Sequence, residues 1–193
     1  GRVDVEMSAV RVVPLVLERA TALERAADRP VHVSVEVADD IAVAADPGAF
    51  VTVLDHLLDN AVKYSPDGGP VQLVVHAVGD IGDAVCVSVR DDGIGMDADA
   101  VDHCFDKFWQ SHVGDRRRFG GTGIGLYIVK SLVEAMGGRV GVDSELGGGA
   151  TFTVELRTAA PRDGTPDIVP TADAGERSMV REFMRQIGVG GGD

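Results

Sequence analysis

Hydrophobic residues in this chain recur with two different periods, and the switches between them determine the order of helices and strands. A period of about 3.6 residues is typical of an amphipathic helix, and a period of two is typical of a half-buried strand. The helical period predicts helices over residues 14–28, 47–64 and 124–136. The two-residue period predicts strands over residues 31–37, 41–45, 71–78, 84–89, 139–143 and 150–156. Hairpin-connected strands with helices between them indicate one sheet that is covered on one face.

The chain has 193 residues, enough for one domain with a small appendage. We expect the domain to span residues 1–157. A proline-containing linker is predicted over 158–175, followed by an amphipathic helix and a glycine-rich end over 176–193. The first residue is Gly1 rather than Met, so we expect the chain to be a segment of a longer protein.

Charge and cysteine content exclude several classes of function. The formal net charge of −13 argues against nucleic-acid binding and against attachment to anionic lipid, so an anionic ligand would need a local basic patch. Cys86 and Cys104 form no CxxC pair, which argues against a zinc site and a disulfide framework and favours a cytoplasmic location. The sequence has no apolar run long enough to cross a membrane, and we expect no direct membrane contact.

The second predicted helix carries a polar edge beside its apolar stripe. His56, Asn60, Lys63 and Tyr64 lie on or just beyond this edge. Such an edge can face a cleft, where an amide oxygen ligates a hard cation, a lysine meets phosphate and a tyrosine ring covers a base. The alternative is an ordinary solvated helix face.

Asp91 continues the buried column of the strand before it. Val85, Val87 and Val89 share one face, so the carboxylate of Asp91 is predicted to lie on the helix-covered side. A buried carboxylate needs a donor, and the amino group of a purine is one such donor. The alternative is an ordinary turn formed by Asp91, Asp92 and Gly93.

A glycine-rich stretch over 120–126 stands at the start of the third predicted helix. Free N–H groups and the helix dipole can hold an anion there, although the stretch matches neither a P-loop nor GxGxxG and could instead be a hinge. Lys107 and residues 116–118 could provide the local basic patch, and the alternative is an ordinary solvated arginine run. Three aromatics within 105–110 belong either to a lid or to a satellite core.

These stretches occur in one order, and together they resemble the ATP-binding catalytic domain of bacterial sensor histidine kinases, in the GHKL superfamily. Residues 56–65 are similar to the N box and residues 91–96 to the first glycine box. Residues 105–110 are similar to the F box, 121–126 to the second glycine box and 149–152 to the closing Gly-x-Thr-Phe. The resemblance covers residues 31–156 and implies a Bergerat fold. This fold is an α/β (α+β) two-layer sandwich, with a mixed, mostly antiparallel sheet of about five strands covered on one face by about three helices.

The resemblance implies ATP or ADP with Mg²⁺ as the ligand, beneath a lid from about Asp97 to Gly120. It implies that Asn60 ligates Mg²⁺, that Lys63 contacts the phosphates and that Tyr64 packs near adenine, with Asp91 accepting the adenine amino hydrogen. The other implied cofactor-binding positions are Gly93, Gly95, Met96, Phe108, Arg118, Gly121, Thr122, Gly123, Gly125, Leu126 and Thr151.

His56 departs from the family, whose kinases commonly carry Asn there. We place it with Asn60 and Lys63 in the expected catalytic set. Its role stays open between orienting water, orienting the acceptor and filling space.

In this family the phosphoryl acceptor is a histidine on a separate helical dimerisation domain. None of the chain's five histidines stands in the acceptor's His-Glu type of motif, so we expect nucleotide binding with little or no self-phosphorylation. The implied partners are the dimerisation domain of the same kinase and, indirectly, a response regulator of a two-component phosphorelay. We expect this segment to be monomeric and to form the cytoplasmic part of a longer sensor.

Two other functions remain open at this point. One is a stand-alone GHKL regulator such as an anti-sigma serine kinase, although the F box and the Lys63-Tyr64 pair favour the sensor kinase. The other is a nucleotide-binding module without catalysis. The ATP-driven clamps of topoisomerases are disfavoured because they usually carry a glutamate at the position of His56.

Overall fold

The computed structural model describes residues 3–79, 83–110 and 122–159. Four helices and seven strands lie in these ranges. The helices are α1 (Val12–Ala27), α2 (Pro47–Lys63), α3 (Ala98–His103) and α4 (Gly125–Ala135). The strands are β1 (Ser8–Arg11), β2 (Val31–Glu36), β3 (Ala42–Ala45), β4 (Val71–Val78), β5 (Ala84–Asp91), β6 (Arg139–Ser144) and β7 (Ala150–Ala159). The helix α1 begins two residues before Pro14, which lies in the first turn, where a missing N–H costs little.

All seven strands form one sheet in the order β1, β3, β7, β5, β4, β2, with β6 pairing along the first part of β7. The β2–β4 pair is parallel, and every other pair among the described strands is antiparallel. The mixed, mostly antiparallel sheet that the family resemblance implies is therefore confirmed.

Two short elements lie outside the ranges predicted from the periodicity. Strand β1 is the seventh strand beside the six predicted ranges, and α3 is the fourth helix beside the three predicted ones, so the expected counts of about five strands and about three helices are approximate. Strand β1 has four residues and runs directly into α1, so it offers neither an alternating pattern nor a turn signal. Helix α3 has six residues, too few for a helical period to be recognised, and its signal is Asp97, whose side chain accepts a hydrogen bond from Ala100 N.

The core lies between one face of the sheet and helices α1, α2 and α4. Helix α2 contributes Phe50, Leu54 and Leu57, all fully buried. The facing columns of β4, β5 and β7 contribute Leu73, Val75, Val87, Val89, Phe152 and Val154. On the other face of the sheet, β2 presents His32, Ser34 and Glu36 to solvent. The prediction of a sheet covered on one face is confirmed.

Asp46 connects the N-terminal segment to the start of α2. Its Oδ1 accepts a hydrogen bond from Ala49 N at 2.9 Å, which caps the helix. Its Oδ2 accepts from Glu6 N at 2.8 Å, so both carboxylate oxygens are used. Because α2 carries His56, Asn60 and Lys63, Asp46 fixes the helix on which the candidate site is built.

The residues of the predicted C-terminal linker and helix lie largely beyond these ranges. Strand β7 continues to Ala159, so Thr158 and Ala159 belong to the sheet rather than to the predicted linker. The remaining linker and the predicted helix over 176–193 lie outside the described residues. Within the described ranges no helix has the length and apolar character needed to cross a bilayer.

Candidate functional site

The polar edge of α2 lies where the sequence predicts it. His56, Asn60, Lys63 and Tyr64 are all half-buried, at the border between the core face and the surface. The Nζ atom of Lys63 lies 4.8 Å from the centroid of the Tyr64 ring. A Cβ built on Gly125 would lie 3.7 Å from His56 Nδ1, so the imidazole stands beside the first residue of α4.

Asp91 ends strand β5 with its side chain on the helix-covered face, as the alternation predicts. It is 5% exposed. Its Oδ1 accepts hydrogen bonds from Gly93 N at 2.9 Å and from the Ser65 hydroxyl at 3.4 Å. Burial raises the pKa of Asp91 above its usual range, and the hydrogen bonds from Gly93, Ala150 and Ser65 oppose this rise. The site therefore holds a poorly solvated acceptor.

Ser65 is the site residue that sequence reasoning missed. It follows the helix that ends at Lys63 and is 3% exposed. In the sequence it reads as part of the turn that stops the helix, so no local signal separates it from the neighbouring Pro66. Its burial and its hydrogen bond to Asp91 follow only from the packing of the end of α2 against the end of β5.

The turn after Asp91 packs tightly on two neighbouring backbone segments. A Cβ on Gly93 would lie 2.2 Å from Tyr64 O, and one on Gly95 would lie 1.8 Å from Glu145 O. Gly95 also has a φ of +64°. Glycine is required at both positions because a side chain would collide with neighbouring protein backbone, whether or not a ligand is bound.

The hairpin between β6 and β7 supports the same turn. Met96 N donates to the Ser144 hydroxyl at 2.9 Å, and that hydroxyl donates to Gly149 O at 2.6 Å. Thr151, expected among the cofactor-binding residues, pairs with Arg90 in the β5–β7 register. Because side chains alternate between faces, it lies on the face opposite Asp91, and the structure does not bring the two together.

The aromatic stretch divides between core and surface. Phe105 packs edge to face on Phe152, with ring centroids 6.2 Å apart, and Trp109 is partly buried against the core. Phe108 is 55% exposed and has a φ of +65°. Its N–H donates to Gly123 O at 2.9 Å, which brings the F box against the second glycine box.

Among the residues of the second glycine box, Leu126 packs on the core and Thr122 is exposed. Arg118 and Gly121, also expected to bind the cofactor, lie outside the described residues, as do Arg116 and Arg117.

His103 in α3 stands between two carboxylates. Its Nδ1 lies 2.8 Å from Asp106 Oδ2, and its Nε2 lies 4.0 Å from Asp99 Oδ1. The hydrogen bond to Asp106 raises the pKa of His103, and the charges of Asp99 and Asp102 add to the rise. Because the pKa is higher in the folded chain, the stabilising contribution of the charged imidazole is fully present below the pKa of the unfolded histidine and is lost as pH rises through the folded value.

We therefore expect Asp106→Asn to lower the pKa of His103 towards the ordinary histidine value, as measured by NMR titration of its ring protons. Asp102→Asn is the matched control, since Asp102 influences the imidazole only through its charge, and it should lower the pKa less. A His103 pKa that Asp106→Asn leaves unchanged would contradict the expectation.

These residues form a site with one buried acceptor and a polar helix edge. Asp91 could receive a donor from a ligand, Lys63 could approach an anion, and the amide oxygen of Asn60 could ligate a hard cation. Within the described ranges no group of three or more His, Cys, Asp or Glu side chains could hold a metal ion. A cation here would take most of its ligands from a bound anion and from water.

Comparison with known proteins gives a consistent result. Residues 45–160 match the model of the family described as "Histidine kinase-, DNA gyrase B-, and HSP90-like ATPase". The chain is 39% identical over 117 residues to the sensor histidine kinase WalK of Bacillus subtilis, which covers 61% of this chain and 19% of WalK. It is 37% identical over 172 residues to the sensor protein DivL of Caulobacter vibrioides, covering 87% of this chain and 21% of DivL. The chain thus spans about a fifth of each relative.

Among solved structures, full-length ShkA in complex with AMPPNP is similar to this chain, with a TM-score of 0.67 and 31% identity. The similarity covers 83% of this chain and 33% of ShkA.

Proposed function

Because this chain belongs to the family of histidine kinase-, DNA gyrase B- and HSP90-like ATPases, we propose that it binds Mg-ATP and supplies the γ-phosphoryl group to a histidine on a separate dimerisation domain. The observation that carries the proposal is Asp91, a buried carboxylate held at the end of β5 beside the polar edge of α2. Burying a carboxylate is costly, and an amino group on a purine would offset part of that cost.

The proposed site residues form two groups, one that contacts the adenine base and one that contacts the phosphates. Asp91 would accept the adenine amino hydrogen, with Tyr64 packing near the ring. The turn at Gly93, Gly95 and Met96 would line this end of the nucleotide. Lys63 would contact the phosphates at the other end. The further phosphate-side residues in the proposal are Arg118, Gly121, Thr122, Gly123, Gly125 and Leu126, with Phe108 completing the set. Thr151 is left out of this set, because the strand register places it on the sheet face opposite Asp91.

The helix N-terminus at Gly125 supports the phosphate end of this arrangement, because free N–H groups and the helix dipole favour an anion there. His56 stands beside that residue. We therefore keep His56 in the catalytic set, as a group that orients water or the incoming acceptor.

The residues present fit Mg²⁺ that is bound together with the nucleotide. Mg²⁺ in phosphoryl-transfer sites usually has one or two protein oxygen ligands, and its other ligands are phosphate oxygens and waters. The side chain of Asn60, half-buried on the polar edge, offers such an oxygen. When bound, the ion would neutralise charge on the β- and γ-phosphates.

The proposed reaction leaves the chain itself unmodified. An imidazole nitrogen of the acceptor forms a bond to the γ-phosphorus, the bond from that phosphorus to the β,γ-bridging oxygen breaks, and the imidazole proton is released. The products are ADP and phosphohistidine. This chemistry needs mainly positioning and charge neutralisation, which Asn60 and Lys63 would provide.

Calorimetric titration of ADP and AMPPNP, with and without Mg²⁺, tests the proposal. We expect saturable binding of both, with AMPPNP gaining more from Mg²⁺ than ADP does. Incubation with γ-labelled ATP should leave this chain unlabelled, while an added sensor-kinase dimerisation domain that carries the acceptor histidine should become labelled. Absence of nucleotide binding at millimolar concentration would overturn the proposal.

A further inference from the structure

Arg29 lies between α1 and β2, outside every motif described above, yet its guanidinium reaches the neighbourhood of Asp91. Its Nη2 donates a hydrogen bond to the carbonyl oxygen of Ser65. Within the described residues, this is its only hydrogen bond through the guanidinium: Nη1 is buried without a partner, and Arg29 forms no ion pair. Arg29 is half-buried, and a guanidinium with a buried nitrogen that donates to one carbonyl points to a role at that carbonyl.

The Ser65 peptide is where the end of α2 meets the turn after β5. The Ser65 carbonyl also accepts a hydrogen bond from Gly68 N at 3.2 Å, and the preceding carbonyl, that of Tyr64, accepts from Ile94 N at 3.0 Å. The Ser65 hydroxyl donates to Asp91 Oδ1 at 3.4 Å. One residue, Ser65, therefore connects the two: its carbonyl accepts from Arg29, and its hydroxyl donates to Asp91.

We propose that Arg29 is a positioning residue for Asp91: by holding the Ser65 carbonyl, it keeps the Ser65 hydroxyl directed at Oδ1 and fixes the orientation of the carboxylate. The hydroxyl contact is long, so a small shift of the Ser65 peptide breaks it. The role rests on the proposed function, since a purine is the ligand that the oriented carboxylate would receive.

The role of Arg29 can be measured through the pKa of Asp91. Its carboxylate accepts hydrogen bonds from Ser65, Gly93 and Ala150, each of which favours the ionised form. The charged group that faces it is Asp92, which raises the pKa of Asp91 and is itself paired with Arg90 at 3.7 Å. Loss of the Ser65 donor must therefore raise the pKa of Asp91 further.

The test is NMR titration of the Asp91 carboxyl carbon in the nucleotide-free chain, which does not depend on ligand binding. Arg29→Met removes the donor at similar volume, and Ser65→Ala removes the hydroxyl. We expect both to raise the pKa of Asp91, and Arg29→Lys, which keeps one cationic donor, to raise it less. Arg25→Met is the matched control, because Arg25 is exposed on the last turn of α1. It should leave Asp91 unchanged.

The double variant separates positioning from general loosening. If Arg29 acts through Ser65, Arg29→Met with Ser65→Ala should raise the pKa no more than Ser65→Ala alone, whereas independent effects would add. An additive double variant, or a folded Arg29→Met chain in which the Asp91 titration is unchanged, overturns the proposal. Should Arg29→Met fail to fold, the same comparison of Asp91 pKa values is made with Arg29→Lys and its double variant with Ser65→Ala.

Nucleotide affinity gives an independent readout. At neutral pH we expect Arg29→Met to weaken ADP binding by about threefold to tenfold, a loss of the size expected when one hydrogen bond is removed. The loss should grow as pH falls, because more Asp91 is protonated. A wild-type chain that binds no ADP would reject the proposed function, while a shifted Asp91 titration in the same samples would still support the positioning role.

Discussion

Asp91→Asn is expected to weaken ADP binding by roughly 30- to 1,000-fold, or about 2–4 kcal/mol. Oδ1 of Asp91 already accepts two protein hydrogen bonds, from Gly93 N and from the Ser65 hydroxyl. An asparagine that keeps its oxygen towards these donors turns its NH₂ towards the base amino group. An asparagine flipped the other way sets its NH₂ against Gly93. Either orientation leaves donors facing each other in a buried site.

Calorimetry on the wild type and the variant measures this loss, and Asp92→Asn provides the matched control. Asp92 is the next residue, is about half exposed and pairs with Arg90. Its substitution should change ADP affinity by less than threefold, since exposed ion pairs contribute little. Equal affinities for Asp91→Asn and the wild type would remove Asp91 from the site.

The pH dependence of binding follows from the same carboxylate. Burial raises the pKa of Asp91, and the ionised form is the one that accepts the amino hydrogen. Affinity should therefore be lost as pH falls through this raised value, at a higher pH than an ordinary aspartate would give. In Asp91→Asn this acid-side decline should disappear.

Gly95→Ala is expected to lower the free energy of unfolding by about 2–5 kcal/mol, the combined cost of a left-handed backbone and an overpacked contact. The new Cβ would lie 1.8 Å from the carbonyl oxygen of Glu145, at a φ of +64°. The turn and the β6–β7 hairpin would have to separate, and nucleotide affinity should fall with them. Urea unfolding at fixed pH measures the loss.

Gly147→Ala isolates the steric part of that effect. Gly147 has a φ of +77° in the neighbouring hairpin, and nothing lies within 4 Å of its built Cβ. Gly147→Ala should lower the free energy of unfolding by only about 1–2 kcal/mol, the contribution of the left-handed backbone alone. Equal losses of unfolding free energy for the two substitutions would show that the close contact between Gly95 and Glu145 adds nothing to the cost of Gly95→Ala.

Much of this arrangement could be predicted from the sequence, because periodicity reports which face is buried. The column from Val85 to Val89 correctly predicted the burial of Asp91, and the edge of the apolar stripe on α2 correctly placed Asn60 and Lys63. The resemblance to the ATP-binding domain of sensor histidine kinases is confirmed by the family match and by the relatives.

Other features depend on contacts between distant parts of the chain, which a local pattern does not contain. Ser65 meets Asp91 across 26 residues, and Arg29 meets Ser65 across 36. Thr151 was grouped with Asp91 from its motif, although the strand register places it on the other face. Gly93 and Gly95 were expected to admit a ligand, and the structure adds that each is pressed against protein backbone.

The double use of Asp46 makes two local transitions thermodynamically linked. Glu6 N and Ala49 N bind different oxygens of one carboxylate, so releasing either donor frees that side chain to rotate away from the other. Detachment of the segment before β1 and fraying of the first turn of α2 therefore promote each other, with equal coupling in both directions. Detachment of the N-terminal segment therefore lowers the stability of the first turn of α2, the helix that carries Asn60 and Lys63.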